Sequence, residues 1–363
     1  MGIKHSLSFR RVVVSLLFAF GLFPAFASDP ADRDPPARVM LASVPGWLPN
    51  PTELDALRVS FDVPGIAIVG LSQCAPTAPI NSGFAKLAPN VPVDGQTVFE
   101  SASLSKPVFA YLVMRLADAG VIDLDRQLAL DFQYLRIADQ TRYRLLTPRL
   151  ILSHRSGLPN WVGDTDNPNR QDIVRFLAEP GTSESYSGEA FELLRAYVEF
   201  RVGKRLNALF VEHLGTLMPH SSFDPLPSTA NAAMGYAQAS DPATGRALKF
   251  LGGSAGGLVA TASDYAQFLS RVCRRAGMSK KAYEQMLSPL TPIAKADLPG
   301  SGFYSLGWVV MRMGPQTMIM HDGDNDEFRT FAGFDAATGD GAVILTNGRN
   351  GADAIGAILE KMQ

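Results

Sequence analysis

A serine and a lysine three residues apart, Ser103 and Lys106, are the residues of this sequence best placed for nucleophilic chemistry. They follow a strand-like run that ends at Glu100 and they open an apolar run typical of a helix. Residues three apart lie on the same face of a helix. A lysine in apolar surroundings loses solvation, which lowers its pKa and lets its amine take the proton of the serine hydroxyl. Because Pro107 is tolerated only in a first helical turn, the pattern predicts a helix that begins near Ser103.

Taken alone, this pattern is weak support for catalysis. A Ser-x-x-Lys match arises about once by chance in a chain of this length, and the ordinary interpretation is a capping serine followed by a surface lysine. Two observations favour the functional interpretation. This is the only Ser-x-x-Lys in the sequence, and Lys106 is the only lysine between Lys86 and Lys204. An isolated lysine at the start of an apolar run is expected to be poorly solvated.

A tyrosine and a histidine elsewhere in the chain are the next candidates. Tyr186 lies in a loop of turn-forming residues, where a packed surface tyrosine is the ordinary interpretation. Beside a cation such as Lys106, its phenol would instead relay a proton to a leaving group. His321 ends an apolar strand-like run and precedes Gly323, and a glycine there lets a substrate approach the backbone. The remaining histidines after the N-terminal segment lie in or near helical patterns and are not favoured as site residues: His154, His213 and His220. His154 is interpreted as a packing residue at a helix end.

Ser254 is a competing nucleophile, because residues 252–256 match Gly-x-Ser-x-Gly. In α/β-hydrolases that motif needs a buried strand before it and a helix directly after it. The residues before Ser254 form a poor strand pattern, and no alternation of strands and helices runs through the chain. The glycines are therefore interpreted as sites of close backbone packing. No metal-ligand spacing or phosphate-binding glycine loop occurs, so the sequence predicts neither a metal nor a cofactor.

Strand patterns near the two ends of the chain must position these residues. Residues 66–71 predict a strand buried on both faces, with a returning strand at 81–85. Four later runs predict an antiparallel meander, at 308–311, 318–321, 329–334 and 341–347. Helical patterns lie at 147–154, 172–177 and 190–202, and a last helix is predicted at 353–361. The predicted fold class is α+β, with one antiparallel sheet from about 60–100 and 300–350 and a mainly helical region inserted at about 104–250.

The N-terminal residues have the pattern of an export signal. A basic segment precedes an apolar run at 12–23, and Ala25-Phe26-Ala27 is a small-x-small cleavage site. Residues 1–27 are thus predicted to be a signal peptide, cleaved before Ser28, so that no stable membrane insertion remains. Residues 28–50 are predicted to be an exposed lead-in, and residues 51–363 to be the folded domain.

Composition and charge narrow the class of protein. The chain has 363 residues, of which 46% are hydrophobic and 19% charged, as in a globular protein with a sizeable core. A net charge of −2 gives no support for a nucleic-acid partner or an anionic membrane surface. Export makes a disulfide between Cys74 and Cys273 possible, but the sequence leaves open whether they pair. It also leaves the oligomeric state open.

Several spaced motifs follow one another along residues 50–360. They are Phe99-x-x-x-Ser103-Leu104-Ser105-Lys106, Gly120-x-x-x-Leu124-Asp125, Leu150-Ile151-Leu152-Ser153-His154-Arg155-Ser156-Gly157-Leu158, Pro180-Gly181 with Tyr186-Ser187-Gly188, Gly256-Gly257-Leu258-x-x-Thr261-x-x-Asp264, His321-Asp322-Gly323 and Leu345-Thr346-Asn347. In this order they resemble the class C β-lactamase-like serine hydrolases. That group includes class C β-lactamases, D-alanyl-D-alanine carboxypeptidases, D-aminopeptidases and esterases. Ordered motifs of this kind are far more specific than any one of them.

The resemblance implies a β-lactamase/transpeptidase-like fold and a role for each site residue. Ser103 would attack the substrate, Lys106 would be its base, and Tyr186 would take part in proton transfer. The backbone N–H groups of Ser103 and Asp324 would form the oxyanion hole, and His321 and Gly323 would line the pocket. The implied reaction is acyl transfer through a covalent acyl-enzyme that water hydrolyses.

Two departures from the family pattern bear on the substrate. Many members have asparagine, which holds a substrate amide, where this chain has Gly188. The β-lactamases have Lys-Thr-Gly where this chain has His321-Asp322-Gly323, and histidine there looks more like the carboxypeptidase, aminopeptidase and esterase branches. The missing asparagine weakens the case for an efficient β-lactamase or peptidoglycan peptidase.

The segment around His321 is also acidic. Four carboxylates follow it at the predicted pocket edge: Asp322, Asp324, Asp326 and Glu327. If they face the pocket, they would repel a substrate carboxylate. The hypothesis is therefore a neutral or amine-bearing ester or amide, carried by a small molecule or a peptide. The alternatives are a penicillin-binding sensor or a D-Ala-D-Ala carboxypeptidase or β-lactamase on the same fold, or an α/β-hydrolase that uses Ser254.

Overall fold

The computed structural model describes residues 42–43, 45–164, 171–227, 231–249, 253–294 and 300–362. The predicted signal peptide lies outside these residues. Only the end of the predicted lead-in is described: Ser43, Gly46 and Asn50 are exposed there, while Leu48 is buried and Ala42 pairs with Thr77 in an isolated bridge.

Fourteen strands are present in the described parts of the chain. They are β1 (Gly65–Ser72), β2 (Ala75–Pro76), β3 (Ile80–Leu87), β4 (Asn90–Pro92), β5 (Phe99–Glu100), β6 (Gly235–Tyr236), β7 (Gly245–Arg246), β8 (Val259–Ala260), β9 (Thr291–Pro292), β10 (Ser301–Tyr304), β11 (Val309–Met313), β12 (Gln316–Asp324), β13 (Arg329–Asp335) and β14 (Gly341–Thr346). Ten of them form one antiparallel sheet, in the order β4-β3-β1-β14-β13-β12-β11-β10-β9 with β2 beside β1. Strands from the two ends of the chain meet at its centre, where Ile66 pairs with Thr346.

Nine α-helices accompany the sheet in the same described ranges. They are α1 (Pro51–Ser60), α2 (Ser105–Asp118), α3 (Gln140–Tyr143), α4 (Pro148–Leu152), α5 (Gly188–Val202), α6 (Leu206–Leu214), α7 (Ala262–Cys273), α8 (Lys280–Leu287) and α9 (Gly351–Leu359). Antiparallel strands and helices are thus combined as the predicted α+β class requires. The long helices of the inserted region end at Leu214, and the described residues from 215 to 249 form loops, a 3-10 turn and the short strands β6 and β7.

Helices cover both faces of the sheet, and the sequence of β1 reflects burial on both sides. Successive side chains of a strand point to opposite faces. Ile66 and Ile68 join a core cluster with residues of α1 and α9, while Ala67 and Val69 join a second cluster with residues of α2 and α7. A strand between two helical layers has no polar face, which explains why residues 66–71 form a continuous apolar run.

One predicted helix is wrong. Residues 172–177 form no helix, and Val174 instead pairs with Ile137 in an isolated bridge. Val174 is fully buried there, so a tertiary contact overrides the helical spacing of a short segment. The other predicted helices and all the predicted strands are present, with ends shifted by a few residues.

A disulfide joins Cys74 and Cys273, which settles the pairing that the sequence left open. It links the turn after β1 to the last residue of α7 across a sequence separation of 199 residues. No helix in the described part of the chain is long and apolar enough to cross a membrane.

Candidate active site

Ser103 lies on a tight turn that joins β5 to α2. A 3-10 turn over Ala102–Leu104 leads directly into the helix at Ser105, so the predicted helix start near Ser103 is confirmed. Ala102 has a φ of 47°, a left-handed conformation that is unfavourable for a residue with a side chain. The Ser105 hydroxyl holds this turn, because it donates to the Ala102 carbonyl at 2.7 Å and accepts from the Leu258 N–H at 3.0 Å. The surrounding chain therefore fixes the nucleophile candidate in place.

Lys106 and Tyr186 converge on the hydroxyl of Ser103. The Lys106 amine donates to Ser103 Oγ at 3.0 Å and to the Ala255 carbonyl at 3.1 Å. The Tyr186 hydroxyl donates to the same Ser103 Oγ at 3.2 Å, although 83 residues separate the two in sequence. The amine nitrogen also lies 4.7 Å from the centre of the Tyr186 ring. One oxygen is thus within hydrogen-bond reach of two groups that can move a proton.

Burial sets the protonation state of both partners. It lowers the pKa of the Lys106 amine well below its usual range, an effect that the carboxylate of Asp322 opposes. It raises the pKa of the Tyr186 phenol well above its usual range, and the hydrogen bond to Ser103 opposes that rise. Desolvation therefore favours an uncharged amine, which can accept a proton, and a protonated phenol, which can donate one.

His154 belongs to this site, although its sequence position suggested only packing at a helix end. Its ring stacks on that of Tyr186, with the centroids 4.2 Å apart, and its Nδ1 accepts the N–H of Ser187 at 3.3 Å. Burial, together with Lys106 and His321, lowers the pKa of the His154 imidazole well below its usual range. The only local signal is its place just after α4, and nothing in the sequence indicates that this helix end lies under Tyr186.

His321 lies on the other side of Tyr186, with the ring centroids 6.3 Å apart. Its Nδ1 is 2.6 Å from the Asp322 carbonyl oxygen, which fixes that nitrogen as the one carrying the proton, and its buried Nε2 has no hydrogen-bond partner among the described residues. Burial lowers the pKa of His321 to about 3, and the nearby Lys106 adds to this effect. The structure therefore brings His321 to the site as an uncharged side chain.

Gly323 allows β12 to pass directly against the nucleophile turn. A Cβ at position 323 would overlap the Thr330 hydroxyl and would lie 2.8 Å from the carbonyl oxygen of Ser101. Asp324 comes next, ends β12 and lies opposite Arg329 in the strand pairing. Its carboxylate pairs with the Arg329 guanidinium. The end of β12 is therefore close to the turn that carries Ser103, as the predicted pocket requires.

The acidic segment after His321 does not act as one negative patch. Asp326 is exposed, while Glu327 is bound at 2.6 Å by both Arg246 and Arg349. With Asp324 also paired, two of the four carboxylates are neutralised by arginines. Asp322 is the one whose charge acts on the site: it is 7% exposed, and it shifts the pKa values of Lys106 and Tyr186.

Comparisons with known proteins identify the family of this chain. The sequence model of the β-lactamase family matches residues 58–361. The chain belongs to the β-lactamase family of serine hydrolases. Penicillin-binding protein 4 of Amycolatopsis lactamdurans is 32% identical over 162 residues, which cover 41% of this chain and 42% of that relative. The chain thus matches less than half the length of this curated relative.

Solved structures share the fold. The D-amino acid amidase of Ochrobactrum anthropi SV3 superimposes with a TM-score of 0.71 at 21% identity, over 85% of this chain and 97% of that chain. A D-alanine carboxypeptidase from Burkholderia cenocepacia gives a TM-score of 0.67 at 21% identity, over 84% and 95%. The β-lactamase-type fold and the resemblance inferred from the motifs are therefore confirmed.

Gly188 is the departure from the family pattern that the structure places beside the site. It begins α5 two residues after Tyr186, and its N–H donates to the side-chain oxygen of Asn160 at 3.1 Å. Position 188 therefore offers no side chain to a substrate, and an asparagine from another segment of the chain lies against it.

Ser254 lacks the surroundings of a nucleophile in this β-lactamase-family chain. Its turn is followed by the short strand β8, not by the helix that a Gly-x-Ser-x-Gly nucleophile requires. The Gly257 N–H closes the turn on the Gly253 carbonyl at 2.8 Å, and the neighbouring Ala255 supplies the carbonyl that holds Lys106. The predicted role in close backbone packing is confirmed, and the α/β-hydrolase alternative does not fit the antiparallel sheet.

Proposed function

We propose that this chain is an exported serine hydrolase that cleaves an ester or amide bond through an acyl-enzyme on Ser103. The observation that carries the proposal is the convergence of the Lys106 amine and the Tyr186 hydroxyl on Ser103 Oγ, at 3.0 and 3.2 Å. A serine hydroxyl is a poor nucleophile until a base takes its proton. An amine whose pKa is lowered by burial is suited to that task near neutral pH.

The proton path follows from the two partners. Ser103 Oγ attacks the carbonyl carbon while Lys106 takes the hydroxyl proton, and the N–H groups of Ser103 and Asp324 stabilise the resulting oxyanion. The carbon–leaving-group bond then breaks as Tyr186 gives its proton to the departing oxygen or nitrogen, and Lys106 returns a proton to the phenolate. A water molecule attacks the acyl-enzyme by the same route, which releases the acid and restores Ser103.

The substrate class is inferred from the carboxylate that shifts the pKa values of the site residues. Burial lowers the pKa values of Lys106, His154 and His321, which favours their uncharged forms, whereas the carboxylate of Asp322 acts on Lys106 and Tyr186. Such surroundings disfavour a substrate carboxylate and favour a neutral or amine-bearing acyl group. The sequence-based argument from four carboxylates at the pocket edge no longer applies, because Asp324 and Glu327 are paired with arginines.

Export to the periplasm or the medium of a bacterium rests on the N-terminal sequence pattern.

A second candidate is a penicillin-binding protein that acylates with little or no turnover. It is favoured by the curated relative named as a penicillin-binding protein. Both candidates use Ser103 and differ in the fate of the acyl-enzyme.

The test is the intact mass of the mature protein after incubation with a penicillin and, separately, with a short activated ester. We expect ester turnover that falls at least ~10³-fold in Ser103→Ala, whereas the matched variant Ser254→Ala retains it within a few-fold. A persistent penicillin adduct without ester turnover would favour the penicillin-binding candidate. Equal activity in Ser103→Ala and the native protein would refute the proposal.

A further inference from the structure

Glu100, the residue that ends β5, carries a carboxylate that is completely buried beside the site. It accepts hydrogen bonds from two other segments: from the Arg246 guanidinium at 2.6 Å and the Lys249 backbone N–H at 2.7 Å in one, and from the Asn325 side-chain amide at 2.7 Å in the other. A buried carboxylate is stable only with such partners, because desolvation of an unpaired charge is costly. Glu100 thus joins three parts of the chain that are far apart in sequence.

Arg246 is the counter-ion at the centre of this cluster. Its guanidinium binds Glu100 on one side and Glu327 at 2.6 Å on the other, and it also donates to the Asn325 carbonyl at 2.7 Å. Its side chain is 20% exposed, and the guanidinium carbon lies 5.2 Å from the centre of the Phe328 ring. Bidentate, planar contacts of this kind fix geometry as well as charge.

The cluster contacts both halves of the proposed catalytic apparatus. Asn325 directly follows Asp324, whose N–H is the second oxyanion donor of the proposed mechanism. The Asn325 amide also donates to the Gly256 carbonyl at 3.3 Å. Gly256 is in turn the neighbour of Ala255, whose carbonyl holds the amine of Lys106. Glu100 itself lies three residues before Ser103.

From these contacts we infer that the Glu100–Arg246 pair positions the active site: through Asn325 it sets the distance between the nucleophile turn, the carbonyl that orients Lys106 and the backbone of Asp324. The inference rests on the proposed function, because it assigns the pair a role in the reaction of Ser103. Neither residue is assigned contact with substrate. They are positioning residues, and their effect is on kcat more than on KM, since the reacting groups rather than the substrate contacts are displaced.

The test compares Arg246→Ala with Arg349→Ala. Both arginines bind Glu327 at 2.6 Å, but the contacts of Arg349 do not include Glu100, so Arg349→Ala controls for lost charge and for a weakened Glu327 contact. In Arg246→Ala we expect kcat for an activated ester to fall about 10²-fold, the effect of a displacement near 1 Å, with KM changed little. Arg349→Ala should stay within about twofold of the native kcat. Added ethylguanidinium, which fills the vacated space, should restore several-fold activity to Arg246→Ala alone.

A second readout separates this inference from the proposed function. Amide hydrogen exchange at 253–258 and 324–328 should accelerate in Arg246→Ala and not in Arg349→Ala, whether or not the protein turns over a given ester. If the native protein does not react at Ser103, the proposed function fails, and the exchange data still decide whether the pair holds these segments. The inference would be overturned if Arg246→Ala had the same kcat and the same rates of amide exchange as the native protein.

If Arg246→Ala does not fold, Asn325→Ala removes the same link while the Glu100–Arg246 ion pair stays intact, and the same outcomes apply.

Discussion

At the scale of single residues, the site is defined by groups that burial keeps uncharged. His154 and His321 flank Tyr186, and burial lowers the pKa of both imidazoles. The cause is their shared enclosure with Lys106, because each positive charge would be desolvated and would repel the others. Both imidazoles are therefore uncharged at neutral pH, and the site is expected to be vulnerable to acid.

We expect the stability of the folded protein to fall as the pH drops below about 6.5. The pKa of His321 is about 3 in the folded state, against an ordinary value of 6.5, so between these values the unfolded state binds more protons. The resulting loss is up to about 1.4 kcal/mol per pH unit for this one group, and it is complete near pH 3. The free energy of unfolding, measured with urea between pH 7 and pH 4, should therefore change less with pH in His321→Asn than in the native protein. An equal change with pH in both proteins would show that His321 does not contribute to the acid sensitivity.

Site residues could be predicted from the sequence where reactive side chains also have a spacing that brings them together. Ser103 and Lys106 were found because three residues along a helix bring two side chains together. Tyr186 rested on the family motif, since its contact with Ser103 spans 83 residues. His154 was missed and Glu100 was not singled out, because their roles arise from segments that meet only in the folded chain.

At the scale of elements, helix α2 is held in place by the turn between β10 and β11. Gly307 lies in that turn with a φ of 79°, and its N–H donates to the Leu152 carbonyl at 2.9 Å. A Cβ at this position would overlap the Cβ of Ala110 and lie 3.2 Å from the Lys106 carbonyl oxygen. The turn therefore packs directly on the backbone that carries the catalytic lysine candidate.

Gly307→Ala should reduce both stability and activity, whereas Gly120→Ala should reduce only stability. Gly120 has a similar φ of 73°, but a Cβ there would meet nothing within 4 Å. Both substitutions carry the left-handed penalty of about 1–2 kcal/mol, and only Gly307→Ala adds a displacement of α2. Thermal unfolding and ester turnover of the two variants check this expectation. Equal turnover in both would show that the helix absorbs the extra atom without moving Lys106.

Elements were predicted best where one physical signal dominates. The double-sided burial of β1 produces an apolar run that has no other simple explanation, and the Thr147 cap with Pro148 marks the start of α4. The prediction of a helix at 172–177 is wrong because a helix of six residues is only marginally stable, and a buried tertiary bridge outweighs it. Short strands such as β6 and β7 have too few residues to leave a pattern.

At the scale of the whole molecule, the disulfide and the site lie at opposite ends of the sheet. At the site end, paired residues cross four neighbouring strands in the order Ile66, Thr346, Arg329 and Asp324. At the other end Leu71 pairs with Gly341, which in turn pairs with Phe334, and Cys74 lies in the turn that follows β1. Five residues of strand place these ends roughly 17 Å apart. The cross-link therefore acts on the fold rather than on the chemistry.

Replacing both cysteines by serine should lower the free energy of unfolding by ~2–5 kcal/mol, since the bond closes a very long loop of the unfolded chain. Ester turnover at 25 °C should stay within about twofold, given the distance from the site. Urea unfolding measures the stability of the double variant, and an ester assay measures its activity. The native protein with and without reductant serves as the reference. A large loss of activity in a folded double variant would contradict the separation of the two ends.

The pairing of β1 with β14 also has a consequence for how the chain is made. The first long strand finds its central neighbour only after everything between Ser72 and Gly341 has been synthesised. At 5–20 residues per second that interval lasts roughly 15–50 s. Until then β1 is an apolar strand with one open edge, and the emerging chain cannot complete its sheet. Biosynthesis therefore includes a long period in which the central sheet is incomplete and its apolar strand edge is accessible to a chaperone.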